Sequence, residues 1–324
     1  MRGLGFQKDL KFSWKSIYPM LISCIFVIIS QLSLTLIPHS FSSSPLLLQL
    51  CFSVALLLII TVLCRIPKRL LKIYASAPAF VFFNIFFMWI VHNLVIRTSV
   101  SLVTTIVLNA ECALLLFGFH SILYSDPGWV INEDSTSDQL LETEVIGTAY
   151  LEEEEVLRTE NSFPTMRVRY CKRCKAYIKG FDHHCPAFGN CIGQNNHLLF
   201  MVLLVGFITL EASYIVCSNQ CMEDITKSKV TGRPMLESTL SGKLVISTML
   251  FSLLQVLWKV IFFIWHIYCA CVNIKTDEWI NWRKYPEFQL FHPQAGQSYP
   301  EIGFINPYDK GVLANIKEIL SPRT

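Results

Sequence analysis

Cysteine and histidine residues cluster in one short stretch of this chain. Cys171, Cys174 and Cys191 supply three thiols, and the adjacent residues His183 and His184 supply two imidazoles. Three cysteine sulfurs and one imidazole nitrogen are a complete tetrahedral ligand set for a structural zinc ion, and a two-residue spacing between the first two cysteines is typical of such sites. The stretch therefore predicts a closed zinc site. The spacing does not decide which of the two histidines binds the metal.

Cys185 lies in the same stretch but is left outside this ligand set. It directly follows Asp182, His183 and His184 in the chain. A thiol beside an imidazole whose other nitrogen is held by a carboxylate has a raised thiolate content at neutral pH. We therefore expect Cys185 to be a nucleophile that His183 and Asp182 assist. The alternative is that His183 and Asp182 only support the zinc ligands.

Acidic and basic residues are separated just before this stretch. Residues 129–166 contain ten acidic residues and one basic residue, which predicts a solvated, flexible linker. Residues 167–180 contain six basic residues and no acidic residue. Such a patch suits anionic lipid headgroups or the phosphates of a nucleotide-bearing substrate, or it is only a positive membrane flank. The candidate phosphate contacts are Arg167, Arg169, Lys172 and Arg173.

The composition indicates an integral membrane protein. Of 324 residues, 52% are hydrophobic and 16% are charged, and the mean hydropathy of +0.45 excludes an ordinary soluble fold with a charged surface. Crossing a hydrocarbon core of about 30 Å takes about 20 apolar helical residues. Six runs meet this length, at residues 17–37, 44–64, 75–96, 101–124, 198–217 and 244–272. The predicted fold class is therefore all-α, with six transmembrane helices and the cysteine-rich domain between the fourth and the fifth.

Lysine and arginine residues in the short flanks predict the orientation of these spans. Basic residues precede the first span and follow the second, whereas the intervening loop at residues 38–43 has none. Because positive flanks stay in the cytoplasm, both termini and the cysteine-rich domain are expected in the cytosol. Clustered cysteines in that reducing compartment bind metal or catalyse more often than they form disulfides. Cys217 and Cys221 are expected at the start of a lumenal loop, where pairing between them stays open.

Four motifs of the chain resemble those of the DHHC-type protein S-acyltransferases, the palmitoyltransferases whose cysteine-rich domain contains Asp-His-His-Cys. They occur in the family's order around two pairs of spans and cover roughly residues 75–320. The motifs are the tetrapeptide at residues 182–185, a DPG motif at 126–128, a TTxE-like motif at 275–278 with Lys275 in the first threonine position, and an NPYDKG segment at 306–311 that is followed by Asn315.

The resemblance implies a role for each residue of the site. Cys185 is the implied acylated nucleophile, with His183 as its base and Asp182 as the residue that orients His183. His184 joins Cys171, Cys174 and Cys191 on a single zinc ion.

The implied reaction is a two-step transfer of a long-chain acyl group from acyl-CoA, such as palmitoyl-CoA, through a Cys185 thioester to cysteines of other proteins. The implied partners are acyl-CoA, the lipid bilayer and membrane-associated substrate proteins with cytosolic cysteines, and no nucleic acid is expected. The implied location is an endomembrane of the endoplasmic reticulum or Golgi, or the plasma membrane.

The chain departs from the family pattern near the site. Residues 125–170 contain no cysteine or histidine, so the upstream cysteine pair of the family's second zinc site is absent. Tyr170 and Tyr177 occupy the positions of the other two ligands, where they are expected to pack in the place of the metal. Ala187 replaces the family's tryptophan after Cys-Pro. An alternative therefore stays open, namely a non-catalytic zinc-bearing membrane adaptor or an acyl acceptor derived from this family.

These observations predict six consecutive segments. They are an N-terminal cytosolic segment with two additional transmembrane helices (1–74), transmembrane helices three and four with the DPG motif (75–128), the acidic linker (129–166), the cysteine-rich zinc domain (167–197), transmembrane helices five and six with a lumenal loop (198–272), and a cytosolic C-terminal region (273–324).

Three charged residues, Glu111, Glu211 and Lys259, fall inside the predicted spans. Each lies about 18–20 Å from the cytosolic end of its helix at 1.5 Å per residue. Because a lone charge at that depth costs several kcal/mol, about 3 at the helix centre, pairing is expected. We hypothesise that Lys259 pairs with one of the two glutamates and limits the length of the bound acyl chain. His92 and His266 are expected to donate hydrogen bonds between helices.

Overall fold

The computed structural model describes residues 14–70, 74–130, 167–230, 240–292 and 301–320. In these residues the chain is mostly helical, with nine α-helices and three two-stranded antiparallel sheets. The predicted class of all-α is therefore too narrow, because it missed the small sheets. Their strands are only three or four residues long, too short to show a period-two pattern of apolar side chains. Most of the predicted acidic linker lies outside the described residues.

Six helices in the described part of the chain are long and apolar enough to cross a membrane. Many of their large apolar side chains, including Leu47, Phe117 and Ile261, are exposed, as expected for helices that face hydrocarbon. The helices are α1 (Trp14–Leu34), which the short α2 (Leu36–Ser40) continues, α3 (Leu46–Leu70), α4 (Ala77–Leu94), α5 (Leu102–Tyr124), α6 (His197–Val230) and α7 (Leu240–Cys271).

The fifth predicted span is too short, because α6 continues to Val230 instead of ending near residue 217. The added turns contain asparagine, glutamine and acidic residues, which end an apolar window without ending a helix. Cys217 and Cys221 consequently lie one turn apart on α6 as buried free thiols, not at the start of a loop. The structure contains no disulfide between them.

The chain divides into two compact units, of which the first comprises residues 1–117 and 206–260. Polar side chains join α1 to α4 in this unit. Gln31 donates to the side chain of Asn84 at 3.0 Å, and the hydroxyl of Ser23 donates to the carbonyl of Ser76 at 2.8 Å. Ser76 also caps α4 by accepting a hydrogen bond from the amide of Ala79. These bonds help to fix the pairing of two helices that are mainly apolar.

The second unit comprises residues 118–205 and 261–324 and contains the cysteine-rich domain. The domain is built from two hairpins, whose strands are β1 (Val168–Cys171) with β2 (Ala176–Lys179) and β3 (His183–Cys185) with β4 (Asn190–Ile192). The C-terminal region of this unit contains α8 (Thr276–Asn281), β5 (Gln289–His292), β6 (Glu301–Phe304) and α9 (Val312–Leu320), with 3₁₀ turns at Trp282–Lys284 and Pro286–Phe288.

The C-terminal motif contacts the end of α7. The amide of Asn315 donates to the carbonyl of Cys271 at 2.8 Å, and that of Asn306 donates to Val272 at 2.6 Å. The side-chain amide of Asn273 donates to the carbonyl of Tyr308 at 3.1 Å. Carbonyl groups at a helix C-terminus have no partner inside the helix, and here asparagine side chains satisfy two of them. The motif therefore holds the C-terminal region against the segment that follows the sixth span.

Candidate active site and metal centre

The four predicted zinc ligands converge on one point. One ligand atom from each of Cys171, Cys174, His184 and Cys191 lies within 4.8 Å of the others. Nδ1 of His184 is 3.4 Å from the sulfurs of Cys174 and Cys191 and 3.9 Å from that of Cys171. These separations suit a tetrahedral ion with bonds of about 2.0–2.3 Å, and the thiolate-rich donor set suits zinc. The residues present therefore fit the metal.

Strand geometry brings His184, and not His183, to the three cysteines. Neighbouring residues on a strand point to opposite faces, so His183 and Cys185 share one face of β3 and His184 lies on the other. Pairing of β3 with β4 sets His184 directly across from Cys191. The apolar core of the domain is small, with Ile178 and Phe181 packed around two of the ligand cysteines. A domain of this size is expected to need the metal for stability.

Asp182, His183 and Cys185 form a hydrogen-bonded chain on the face away from the metal ligands. Oδ2 of Asp182 accepts a bond from Nδ1 of His183 at 2.6 Å. His183 also hydrogen bonds to the thiol of Cys185. Because the carboxylate occupies one ring nitrogen, the other is left for the cysteine. The geometry is that of a nucleophile, a base and a group that orients the base.

Asp182 and His183 stabilise each other's charges. Burial opposes the charge on His183, but hydrogen bonds to Asp182 and Cys185 outweigh it and raise the pKa of His183 to about 9. Burial would raise the pKa of Asp182, but the bond from His183 and nearby cationic groups hold that pKa below its usual range. A protonated imidazole beside an ionised carboxylate is thus the favoured state at neutral pH.

Thr276 holds the Asp182 carboxylate in place. The backbone amide of Thr276 donates to Oδ1 at 2.9 Å, and its hydroxyl donates to Oδ2 at 3.0 Å. The backbone amide of Asp277 donates to the backbone carbonyl of Asp182 at 2.9 Å. The motif that contains Thr276 is visible in the sequence, but its spacing assigns this residue no role. The structure shows that α8 brings the motif to the aspartate, 94 residues away in sequence.

A second set of potential ligands lies next to Asp182. Ligand atoms of Asp182, His197 and His266 lie within 4.8 Å of one another, and all three residues are buried. However, the buried Lys275 interacts electrostatically with Asp182, and its positive charge opposes a second cation there. One zinc site therefore fits this domain better than two.

The interpretation of His92 and His266 as hydrogen-bond donors between helices is wrong. Both ring nitrogens of each residue are buried, and none of the four finds a hydrogen-bond partner among the described residues. His266 instead packs its ring against those of Phe200 and Phe262, at centroid distances of 4.9 and 4.5 Å.

Two of the predicted phosphate contacts are occupied by carboxylates of the chain itself. Arg167 forms an ion pair with Glu278 and stacks on the ring of Tyr308 at 3.8 Å. Arg169 pairs with Glu287 and stacks on the ring of Tyr285. Both residues tie β1 to the C-terminal region. Phosphate binding stays a prediction for all four basic residues, and the exposed Lys172 and Arg173 are its better candidates.

Aromatic side chains lie at or next to two places where the chain departs from the family pattern. Tyr170 and Tyr177 are paired across β1 and β2, and their rings pack at a centroid distance of 5.1 Å. Phe188, directly after Ala187, is buried and packs against Phe119 at 5.8 Å. Phe188 was not among the residues predicted for the site, although an aromatic residue next to the missing tryptophan was a usable signal.

The DPG motif shapes the turn on which the domain rests. Oδ1 of Asp126 accepts bonds from the backbone amides of Gly128 and Trp129 at 2.7 and 2.9 Å. Gly128 has a φ of +106°, a conformation that glycine adopts readily. Gly193 packs so tightly on this turn that an added Cβ would lie 2.3 Å from the carbonyl oxygen of Pro127. The turn therefore places β4 beside the end of α5.

Comparison with known proteins finds similarity to the same family. Residues 151–283 match the model of the DHHC palmitoyltransferase domain. The chain is 27% identical over 179 residues to palmitoyltransferase AKR1 of Mortierella alpina. The aligned region covers 52% of this chain and 32% of the relative. It is 25% identical over 219 residues to palmitoyltransferase ZDHHC17 of Homo sapiens, covering 64% of this chain and 32% of the relative.

A third relative matches over most of its length. The chain is 24% identical over 245 residues to palmitoyltransferase PFA3 of Candida glabrata, covering 71% of this chain and 70% of the relative. The match to AKR1 and ZDHHC17 spans about a third of their length, 32% in each case. The domain match and these relatives confirm the resemblance that the four motifs indicated. The chain is similar to the DHHC-type protein S-acyltransferase family, and the domain match covers residues 151–283.

Proposed function

We propose that this chain is a protein S-acyltransferase that transfers a long-chain acyl group, such as palmitoyl, from acyl-CoA to cysteines of membrane-associated proteins. The observation that carries the proposal is the hydrogen-bonded chain from Thr276 through Asp182 and His183 to Cys185. Similarity to the DHHC palmitoyltransferase domain and to relatives that are named palmitoyltransferases supports the same activity.

In the first step, the Cys185 sulfur attacks the thioester carbonyl carbon of acyl-CoA. A new carbon–sulfur bond forms to Cys185, the bond to the CoA sulfur breaks, and CoA leaves as a thiolate. His183 carries the proton that came from Cys185 and gives it to the departing sulfur. Asp182 keeps the imidazole oriented and stabilises its positive charge between these events.

In the second step, the thiol of a substrate protein attacks the Cys185 thioester. His183 takes the proton of that thiol, the acyl group moves to the substrate sulfur, and Cys185 is released as a thiolate. Proton and acyl group are thus balanced over the cycle, and His183 returns to its starting protonation state. The chain needs no co-reactant besides acyl-CoA and the acceptor.

The metal site has a structural role in this proposal. Zinc, when bound to Cys171, Cys174, His184 and Cys191, would contribute folding free energy to a domain with a small core. These ligands join the β1–β2 turn to β3 and β4, and so fix the face on which Cys185 lies. The exposed Lys172 and Arg173 would attract the phosphates of CoA.

The proposal includes a location and a topology. Six apolar helices suit a multi-pass protein of an endomembrane or the plasma membrane. The distribution of lysine and arginine supports cytosolic termini and a cytosolic cysteine-rich domain, where acyl-CoA and the cysteines of substrate proteins are available. The domain boundaries set out from the sequence remain part of this proposal.

Labelling with acyl-CoA tests the proposal. Purified full-length protein incubated with radiolabelled palmitoyl-CoA should acquire a label that hydroxylamine removes, and Cys185→Ser should acquire none. Cys51→Ser is a matched control, because Cys51 is an exposed thiol on α3 that the mechanism does not use. Bound zinc, measured in each preparation, shows that the domain is intact.

Two results would contradict the transferase. Folded, zinc-containing wild-type protein that acquires no label would indicate a non-catalytic adaptor. Protein that loads the label but passes it to no cysteine-containing acceptor would be an acyl acceptor. Transfer is measured by adding membrane-associated peptides with a cytosolic cysteine and following the label from the chain to the peptide.

A further inference from the structure

Three buried polar side chains meet in the second unit, on one side of the active site. They are Asp182, His197 and His266, and one carboxylate oxygen or ring nitrogen from each lies within 4.8 Å of the others. His197 is the first residue of α6, and His266 lies close to the end of α7. The ends of two long helices therefore bring two imidazoles to the carboxylate that orients His183.

The two histidines have buried nitrogens whose hydrogen bonds are not made within the protein. Nδ1 of His197 and both ring nitrogens of His266 are buried, and none of the three has a hydrogen-bond partner among the described residues. The rings of Phe200 and Phe262, which pack against His266, carry no polar atom that could serve as one. Because buried polar atoms are nearly always paired, a small polar ligand is expected at this point.

Asp182 can accept one more hydrogen bond. A carboxylate has about four lone-pair positions, and His183 together with the amide and hydroxyl of Thr276 fills three of them. His266 does not fill the fourth directly, since its Nδ1 is 4.0 Å from Oδ2 of Asp182, too far for a hydrogen bond. Polar atoms at such a separation are commonly bridged by a water molecule.

The distances among the three residues suit water better than a metal ion. The centre of an equilateral triangle with sides of 4.8 Å is about 2.8 Å from each corner, which is the length of a hydrogen bond to water. Tetrahedral zinc, with bonds of about 2.1 Å to nitrogen and oxygen, holds its ligand atoms about 3.4 Å apart, closer than the 4.0 Å between His266 and Asp182. The charge of the buried Lys275 also favours a neutral ligand over a cation.

We propose that His266 is a positioning residue for Asp182 and acts through one water molecule, which His197 and His266 together hold against the carboxylate. The water donates one hydrogen to Asp182 and one to an imidazole nitrogen, and it accepts the N–H of the other imidazole. It thereby fixes the carboxylate that orients His183. The inference rests on the proposed function, because its consequence is faster acylation of Cys185.

A crystal structure of the full-length protein, at a resolution that shows ordered solvent, tests the water directly. Density is expected within about 3 Å of Asp182, His197 and His266, without an anomalous signal at the zinc absorption edge. Absent density, density that reaches fewer than three residues, or an anomalous signal would overturn the proposal. Wild-type protein that acquires the acyl label without this density would contradict only the water. Protein that shows the density but acquires no label would contradict the proposed function.

His266→Phe tests the effect on acylation. The phenyl ring retains the packing against Phe200 and Phe262 but offers no nitrogen to the water. The single-turnover rate of acylation by palmitoyl-CoA should fall about 10-fold, as for the loss of one hydrogen bond to a charged acceptor, and the palmitoyl-CoA concentration that gives half the maximal rate should stay the same. If no water were held there, the substitution would only remove unpartnered nitrogens. An unchanged or higher rate would therefore overturn the proposal.

Two further variants separate positioning from a general effect on packing. His266→Gln retains a side-chain donor and acceptor and should recover most of the rate. His120→Phe is the matched control, because it makes the same substitution at an exposed histidine of α5 and should leave the rate unchanged. A glutamine variant as slow as the phenylalanine variant would contradict the positioning role. If the phenylalanine variant does not fold, as judged by size-exclusion chromatography and zinc content, the wild-type crystal structure still decides whether the water is bound.

Discussion

Asp182 in the cysteine-rich domain and Glu211 in the membrane helices are both buried carboxylates, but they differ in their hydrogen-bond partners. Asp182 accepts bonds from His183 and from both the amide and the hydroxyl of Thr276, so each of its oxygens is occupied. Glu211 has one oxygen paired with Lys259 and the other without a partner among the described residues. The Asp182 carboxylate is therefore held by several donors, whereas Glu211 depends on a single partner, Lys259.

Loss of the Asp182 charge is expected to have the largest effect. Asp182→Asn retains the side-chain shape but no longer stabilises the protonated His183, so the rate of Cys185 acylation should fall on the order of 10³-fold or more. Single-turnover labelling with palmitoyl-CoA measures this rate. Zinc content should not change, because Asp182 is not among the four clustered ligands. A fall of only a few fold would mean that Asp182 does not support the base.

Glu211→Leu alone is expected to have the next largest effect, this time on stability. It leaves the Lys259 ammonium inside the helices without its partner, and breaking a buried pair from one side costs about 3–5 kcal/mol. The apparent midpoint of thermal unfolding in nanodiscs should fall by several degrees. Adding Lys259→Met should restore most of the loss, because no unpaired charge remains. A double variant as unstable as the single one would show that the broken ion pair is not the cause of the lost stability.

Thr276→Val is expected to have the smallest effect of the three. It removes the hydroxyl bond to Oδ2 of Asp182 and leaves the backbone bond to Oδ1 intact. The loss of one bond to a charged acceptor, about 1.5–3 kcal/mol, corresponds to a decrease of about 10- to 100-fold in the acylation rate. Thr276→Ser retains the hydroxyl and should restore most of the rate. Equal rates in the valine and serine variants would contradict the positioning role.

The sequence predicted those features of the fold and site that depend on local spacing. Apolar runs long enough to span a bilayer are visible without any tertiary contact, and the six candidate spans begin close to the predicted positions. The spacing of Cys171, Cys174 and Cys191 predicted a metal site in the same way, and the structure brings these cysteines together. The length of α6 was missed, because a helix that leaves the apolar window gives no hydropathy signal.

The tertiary structure decided the features that depend on contacts between distant residues. Arg167 reaches Glu278, 111 residues later in the chain, and Thr276 reaches Asp182 across 94 residues. No spacing rule predicts such contacts, because they require the cysteine-rich domain and the C-terminal region to pack together first. For the same reason, the sequence named two possible partners for Lys259 and the packing of the helices selected Glu211.

Residues 182–185 show most clearly what the sequence determined and what the tertiary structure decided. The order of residues 182–185 by itself determined which chemical groups lie next to one another, namely a carboxylate, two imidazoles and a thiol. Only the pairing of β3 with β4 decided that His184 faces the cysteine ligands while His183 faces Asp182 and Cys185. The physical reason is the alternation of side chains along a strand, which assigns adjacent histidines to opposite faces once the strand has formed.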